Sequence, residues 1–170
     1  AKGLFNDHPF NMDIFGTLST PAAYDLIAKS DCIVCFGTAL HDFTTDRTKL
    51  MQNKRIIQID VDPTAIGGGL HPDAALIADA GLTADTIVWW LDEAEIPPSG
   101  FTKELDIATL TAHPVGTTRS GDGFVNYVAA LERLEGTLPK NRILVTDGGR
   151  FMTEVWCRLS APDPKSFVVT

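Results

Sequence analysis

Two apolar runs without alternation, CIVCFG at 32–37 and RIIQIDV at 55–61, limit the fold more than any other feature of the chain. A strand with one wet face alternates apolar and polar residues. Runs such as these fit strands covered on both faces, which is the condition of a parallel sheet. Around them the pattern turns helical. Thr20 stands where its hydroxyl can accept from the free amides of a first turn, and Pro21 where a missing N–H costs nothing, so a helix is expected over 21–29. AALIADA (74–80) is expected to form a third strand, and TADTIVWWLDE (83–93) a helix with Ile87, Trp90 and Leu91 on one side. Alternating helix and buried strand predicts an α/β fold.

The pattern lapses after residue 95. EIPPSGFTKELD has the proline and glycine content of a connection, and the chain shows no sustained periodicity up to 121. Beyond it, DGFVNYVAALERLEGTLP places Phe124, Tyr127, Val128, Leu131 and Leu134 on one helical face, with Asp122 as its cap and Gly136 past its end. RILVTDGG (142–149) reads as a strand entering a glycine turn, and SFVVT (166–170) as a further strand. A core strand at a terminus is what a piece of a longer chain would show. The expected organisation is a parallel-sheet, Rossmann-like domain over 1–95, a linker over 96–121 and the beginning of a second α/β domain over 122–170.

With a formal charge of −8 and no lysine- or arginine-rich run, the chain would repel a phosphate backbone, so nucleic acid is not an expected partner. No segment offers the ~20 unbroken apolar residues of a membrane span. The opening residues lack the apolar core of a signal peptide, and the expected location is the cytoplasm. CIVC would suggest redox or zinc chemistry, but strand geometry points positions i and i+3 to opposite faces. Cys32, Cys35 and Cys157 are therefore expected to be buried, inert thiols. His8, His71 and His113 each precede proline, no histidine spacing matches a zinc helix, and no nucleophile elbow occurs.

In open α/β sheets ligands lie beyond the carboxyl ends of strands. Two such ends are legible, FGTALHDF after the first run and Asp60 at the end of the second. A carboxylate there can accept from both hydroxyls of a ribose, or can simply end a strand. FGTLSTP leads into a helix start that suits a phosphate. Asp62-Pro63 reads as a turn. The dinucleotide glycine fingerprint is absent, because IGGGL lacks its spacing. SGDGF (120–124) reads as a helix cap, whereas TDGGRF (146–151) offers consecutive glycine amides to an anion, with Arg150 either adding charge or lying in solvent.

These motifs, in this order, resemble the thiamine-diphosphate enzymes of the acetolactate synthase group. The passages that carry the resemblance are KGLFNDHPFNMDIFGTLSTPAAYDLIAKSD, CIVCFGTALHDFTT and IIQIDVDPTAIG, followed by VTDGGRF. The resemblance implies an FAD-type central domain with nucleotide contacts at Gly16, Thr17, Gly37, Thr38, Asp42, Asp60, Val61 and Asp79. It also implies a thiamine-diphosphate loop at Gly148, Gly149, Arg150 and Phe151. Ala39 and Phe43 stand where flavin-binding relatives carry arginines, and Ala65 where they carry glutamate. The charge-assisted contacts best suited to a pyrophosphate are thereby lost; relatives also use ADP there, or nothing.

The catalytic glutamate and the magnesium motif of the group match nothing in this chain. The resemblance thus implies a fragment, inactive alone, of a transferase or lyase acting on a 2-oxo acid. The whole enzyme would use thiamine diphosphate and Mg2+ and form a homodimer or homotetramer. The alternatives are a self-standing nucleotide-binding domain or a structural domain without chemistry.

Overall fold

A computed structural model describes residues 2–100, 105–113, 121 and 123–170. The chain divides into two compact units, residues 24–105 and residues 1–23 with 106–170. The helix α1 (Pro21–Ala28) runs across the division. It starts as the sequence predicts: the Ala23 amide donates to Thr20 Oγ1 at 3.1 Å. At its other end the Lys54 ammonium donates to the Ala28 carbonyl at 2.7 Å, a cation placed where the helix leaves unpaired acceptors.

The unit 24–105 contains β1 (Cys32–Phe36), the short helix α2 (Asp42–Thr45), β2 (Arg55–Asp60), β3 (Ala74–Ile77) and α3 (Ala80–Glu93). The strands form one parallel sheet in the order β1-β2-β3. Phe36 pairs with Ile59, so the carboxyl ends of β1 and β2 lie side by side as the two apolar runs predict. Cys35, Leu40, Met51 and Ile56 make the core, with Ile33 and Leu70 packed against it. Three expectations are corrected here. The first run is not covered on both faces, since Val34 and Phe36 are 43% and 39% exposed while Ile33 and Cys35 turn inward, whereas in the second the neighbours Gln58 and Ile59, on opposite faces, are both buried. The third helix starts at Ala80 rather than at 83, because Asp79 caps it. On that helix only Thr83 is buried, whereas Trp90 and Leu91 are exposed.

The other unit contains α4 (Ile107–Thr111), α5 (Tyr127–Thr137), β4 (Leu144–Thr146), α6 (Met152–Arg158) and β5 (Phe167–Val169). α4 lies inside the stretch read as connection; five residues are too few to display a helical period, and its start rests on the Asp106 side chain accepting from the Ala108 amide. β4 and β5 pair in parallel. Trp156 donates from Nε1 to Thr146 Oγ1 at 3.1 Å and meets the Phe167 ring edge-on at 5.8 Å. The Glu135 carboxylate accepts from Arg142 Nη2 and from the Ser160 amide and hydroxyl.

The fifth helix differs from its sequence reading at both ends. Asn126 caps it by accepting from the Ala129 amide, so Phe124 lies outside it and is 79% exposed. Asp122 lies outside the described residues. Gly136 falls within the last turn rather than past it, and Val128 and Leu131 alone of the expected face are buried.

Candidate functional site

The parallel sheet brings three carboxyl ends to one edge. β1 ends into Gly37 and Thr38, β2 ends in Asp60 followed by Val61, and β3 ends before Ala78 and Asp79. Gly37 carries the ladder one residue further by donating to the Ile59 carbonyl at 2.9 Å, and then turns with φ +62°, a conformation that costs glycine little. Asp42 opens α2 a few residues later. Six of the expected contact residues, Gly37, Thr38, Asp42, Asp60, Val61 and Asp79, thus stand on or just beyond this edge. Gly16 and Thr17 belong to the other unit, in the turn ahead of α1, where the Gly16 carbonyl accepts from Ser19 at 3.0 Å.

Three carboxylates of the edge already have tasks. Asp60 Oδ1 accepts from the Asp62 amide at 2.9 Å. Asp62 Oδ1 accepts from the Thr64 hydroxyl at 2.7 Å and amide at 2.8 Å, which holds its carboxyl below the usual range, so Asp62-Pro63 makes the turn that its sequence suggests. Asp79 Oδ1 caps α3 by accepting from Leu82 at 2.9 Å.

The residue that organises this edge escaped sequence reasoning. Gln58 is fully buried in the middle of β2. Its Nε2 donates to the Thr38 carbonyl at 2.8 Å and the Ala65 carbonyl at 2.9 Å, while Oε1 accepts from the Gly67 amide at 3.0 Å. Two carbonyls and one N–H as partners fix which end of the carboxamide is which. The same two loops meet backbone to backbone at Gly69, where a Cβ would lie 2.7 Å from the Leu40 carbonyl carbon. A polar letter inside an apolar run is the only sign of this that the sequence carries.

The second candidate set lies between β4 and α6. Gly148 donates to Asp147 Oδ1 at 2.6 Å, Arg150 is exposed, and Phe151 precedes α6 with 46% of its surface exposed. Gly149, at φ +156°, leaves room for the Phe151 ring, whose Cδ1 would lie 3.1 Å from a Cβ there. These four residues are contiguous and follow the carboxyl end of a parallel strand, the place where a glycine turn can present amides to an anion.

Two clefts were not anticipated. One of about 460 Å³ opens at the amino edge of the three-stranded sheet, between Asp31, Cys32, Asn53, Lys54 and Arg55. The other, about 380 Å³, lies in the second unit and is lined by Lys2, Asn6, Asn11, Asp13, Cys157 and Arg158 among others. His113 is in the same electrostatic neighbourhood. Burial pushes its pKa down, opposed by Asp13 and Glu154 and reinforced by Arg158 and Lys2.

The cysteines need one correction. Cys35 is buried and its thiol is pushed up to about 11, foremost by burial, and Cys157 likewise to about 11, but Cys32 is exposed at the start of β1. All three are free, and no group of three metal-ligating side chains occurs among the described residues. Among those residues no helix is long and apolar enough to cross a membrane.

Comparison with known proteins agrees with this arrangement. The chain is 24% identical over 156 residues to acetolactate synthase of Mycobacterium leprae, covering 88% of this chain and 25% of that one. It is 30% identical over 94 residues to the probable acetolactate synthase large subunit of Methanococcus aeolicus, covering 54% and 16%. With that of Methanocaldococcus jannaschii it shares 32% over 82 residues, covering 47% and 14%. The chain therefore spans a quarter or less of the length of these relatives. The family model of the thiamine pyrophosphate enzyme central domain matches residues 1–87, half of the chain and all of β1, β2 and β3. By that match, on a parallel sheet of the expected register, the chain belongs to the thiamine pyrophosphate enzymes through their central domain.

Proposed function

We propose that this chain serves in a thiamine-diphosphate-dependent carboligase or decarboxylase acting on a 2-oxo acid, as a segment that makes no turnover alone. The observation that carries the reading is the central-domain match over 1–87, joined by an acetolactate synthase alignment that continues over most of the chain. In this reading 1–95 is the later part of the central domain, 96–121 the linker and 122–170 the start of the cofactor-binding domain. The whole enzyme works in the cytoplasm with Mg2+ as a homodimer or homotetramer.

Bound thiamine diphosphate supplies the electron sink that lets a 2-oxo acid lose carbon dioxide. This chain's part is to bind and orient. Gly149 would present its backbone to the diphosphate, Gly148 would join it once its amide leaves Asp147 Oδ1, and Arg150 would set its exposed guanidinium beside it. Phe151 lies against the same turn and limits the access of water. Neither a general base nor a metal ligand is assigned to this segment.

The test is consumption of pyruvate and other short 2-oxo acids with thiamine diphosphate and Mg2+ supplied. The 170-residue protein is expected to stay at buffer level, and the product of the whole reading frame that encodes it is expected to turn over. Turnover by the short protein overturns the fragment reading; none by the long one overturns the enzyme reading.

A further inference from the structure

The central domain of this family raises the question of a flavin, and the sheet edge answers it through its donors. The segments that follow the three strands, 37–42, 61–70 and 78–82, contain no lysine or arginine, and with the last residue of β2 they carry Asp42, Asp60, Asp62 and Asp79. A diphosphate needs cations or free amides to replace its water. Several amides of these turns are already engaged: Gly37 donates to Ile59, Asp62 to Asp60, Thr64 to Asp62, Gly67 to Gln58, Gly68 to Ala65 and Ala78 to Asp60. Like charge repels the ligand, and those six amides have no hydrogen to offer it.

The loops also have their own brace. Gln58 reaches the first loop through Thr38 and the second through Ala65 and Gly67, with every polar atom of its carboxamide used. Gly69 presses the second loop against Leu40 without an intervening side chain. We propose that this edge holds no flavin dinucleotide, and that the Gln58 carboxamide keeps the two loops in the arrangement a bound cofactor would otherwise impose. The inference rests on the family placement, which supplies the flavin expectation, but can fail without it.

The 170-residue protein and the product of the whole reading frame that encodes it are both titrated with FAD and with ADP by calorimetry, and hydrogen exchange is followed with and without FAD. No saturable heat is expected from either nucleotide up to about 1 mM. Amides in 62–68 should be protected before any ligand is added and gain nothing from FAD. In Gln58→Met, exchange in 37–41 and 62–68 should rise together by about tenfold while β4 and β5 keep their protection, which shows that the variant is folded. Saturable binding of FAD or ADP, or loops whose exchange ignores the substitution at 58, overturns the proposal. The titration of the whole-frame product needs no variant and decides the flavin question whether or not Gln58→Met folds.

Discussion

The sheet of β1–β3 and the pair β4–β5 are both parallel, yet different chemistry holds them. Around the first, a buried cluster of Cys35, Leu40, Met51 and Ile56 is joined by one neutral carboxamide bonded to backbone. Around the second, charge does the tying: Arg142 with Glu135, and Arg158 with Glu132 and Glu154. The guanidinium side chains are 9% exposed, while their carboxylate partners are 30% to 42% exposed. Apolar contacts and neutral hydrogen bonds are not screened by salt, whereas half-exposed ion pairs are. The two regions should therefore separate under changes of core volume, ionic strength and pH.

The largest effect is expected from the core of the first region. Ile59 is fully buried, and Ile59→Ala should cost about 3 kcal/mol through lost transfer energy and a residual cavity. Urea denaturation followed by hydrogen exchange should show the loss in β1–β3 with β4–β5 unaffected; a uniform loss would abolish the contrast. Next comes Arg142→Met, which leaves Glu135 and the Ser160 carbonyl without their guanidinium donor and should cost about 2 kcal/mol at low salt. That penalty should shrink as salt is added, and equal penalties at low and high salt would refute the ionic account. Asn126→Ala removes the cap of α5 and should cost about 1 kcal/mol, read from the same exchange experiment.

The smallest effect is electrostatic and belongs to the first region. Asp73 accepts from the Ile56 amide at 2.9 Å and from Arg55 at 2.8 Å, and these bonds lower its pKa from 3.8. A carboxyl whose pKa is lower folded than unfolded contributes its stabilisation above the unfolded value and loses it as pH falls through the folded one. Asp73→Asn should remove that contribution at neutral pH and, since little is left to lose on acidification, flatten the acid limb of the stability curve below about pH 4.

What could be read in advance depended on how local the cause was. Continuous apolar runs declared the parallel strands, and the Thr20-Pro21 pair declared a helix start, because each is decided within a few residues. Cys32 was misjudged because its neighbours in sequence are apolar while its place in space is an exposed strand end. Asp79 looked like a ligand contact; in the fold one of its oxygens caps a helix, a task that leaves the same letter in the sequence. Gln58 was overlooked for the opposite reason. Its three partners are backbone atoms of residues 38, 65 and 67, and backbone atoms have no signature in a sequence.

The contact at Gly69 has a consequence for anyone reshaping this domain. Its neighbour is the main chain of Leu40 and His41, so no choice of rotamer or trimming of a nearby side chain makes room for even a methyl group. In a saturation library across 68–70, clones that keep their fold should retain glycine at this one position while the adjoining residues drift.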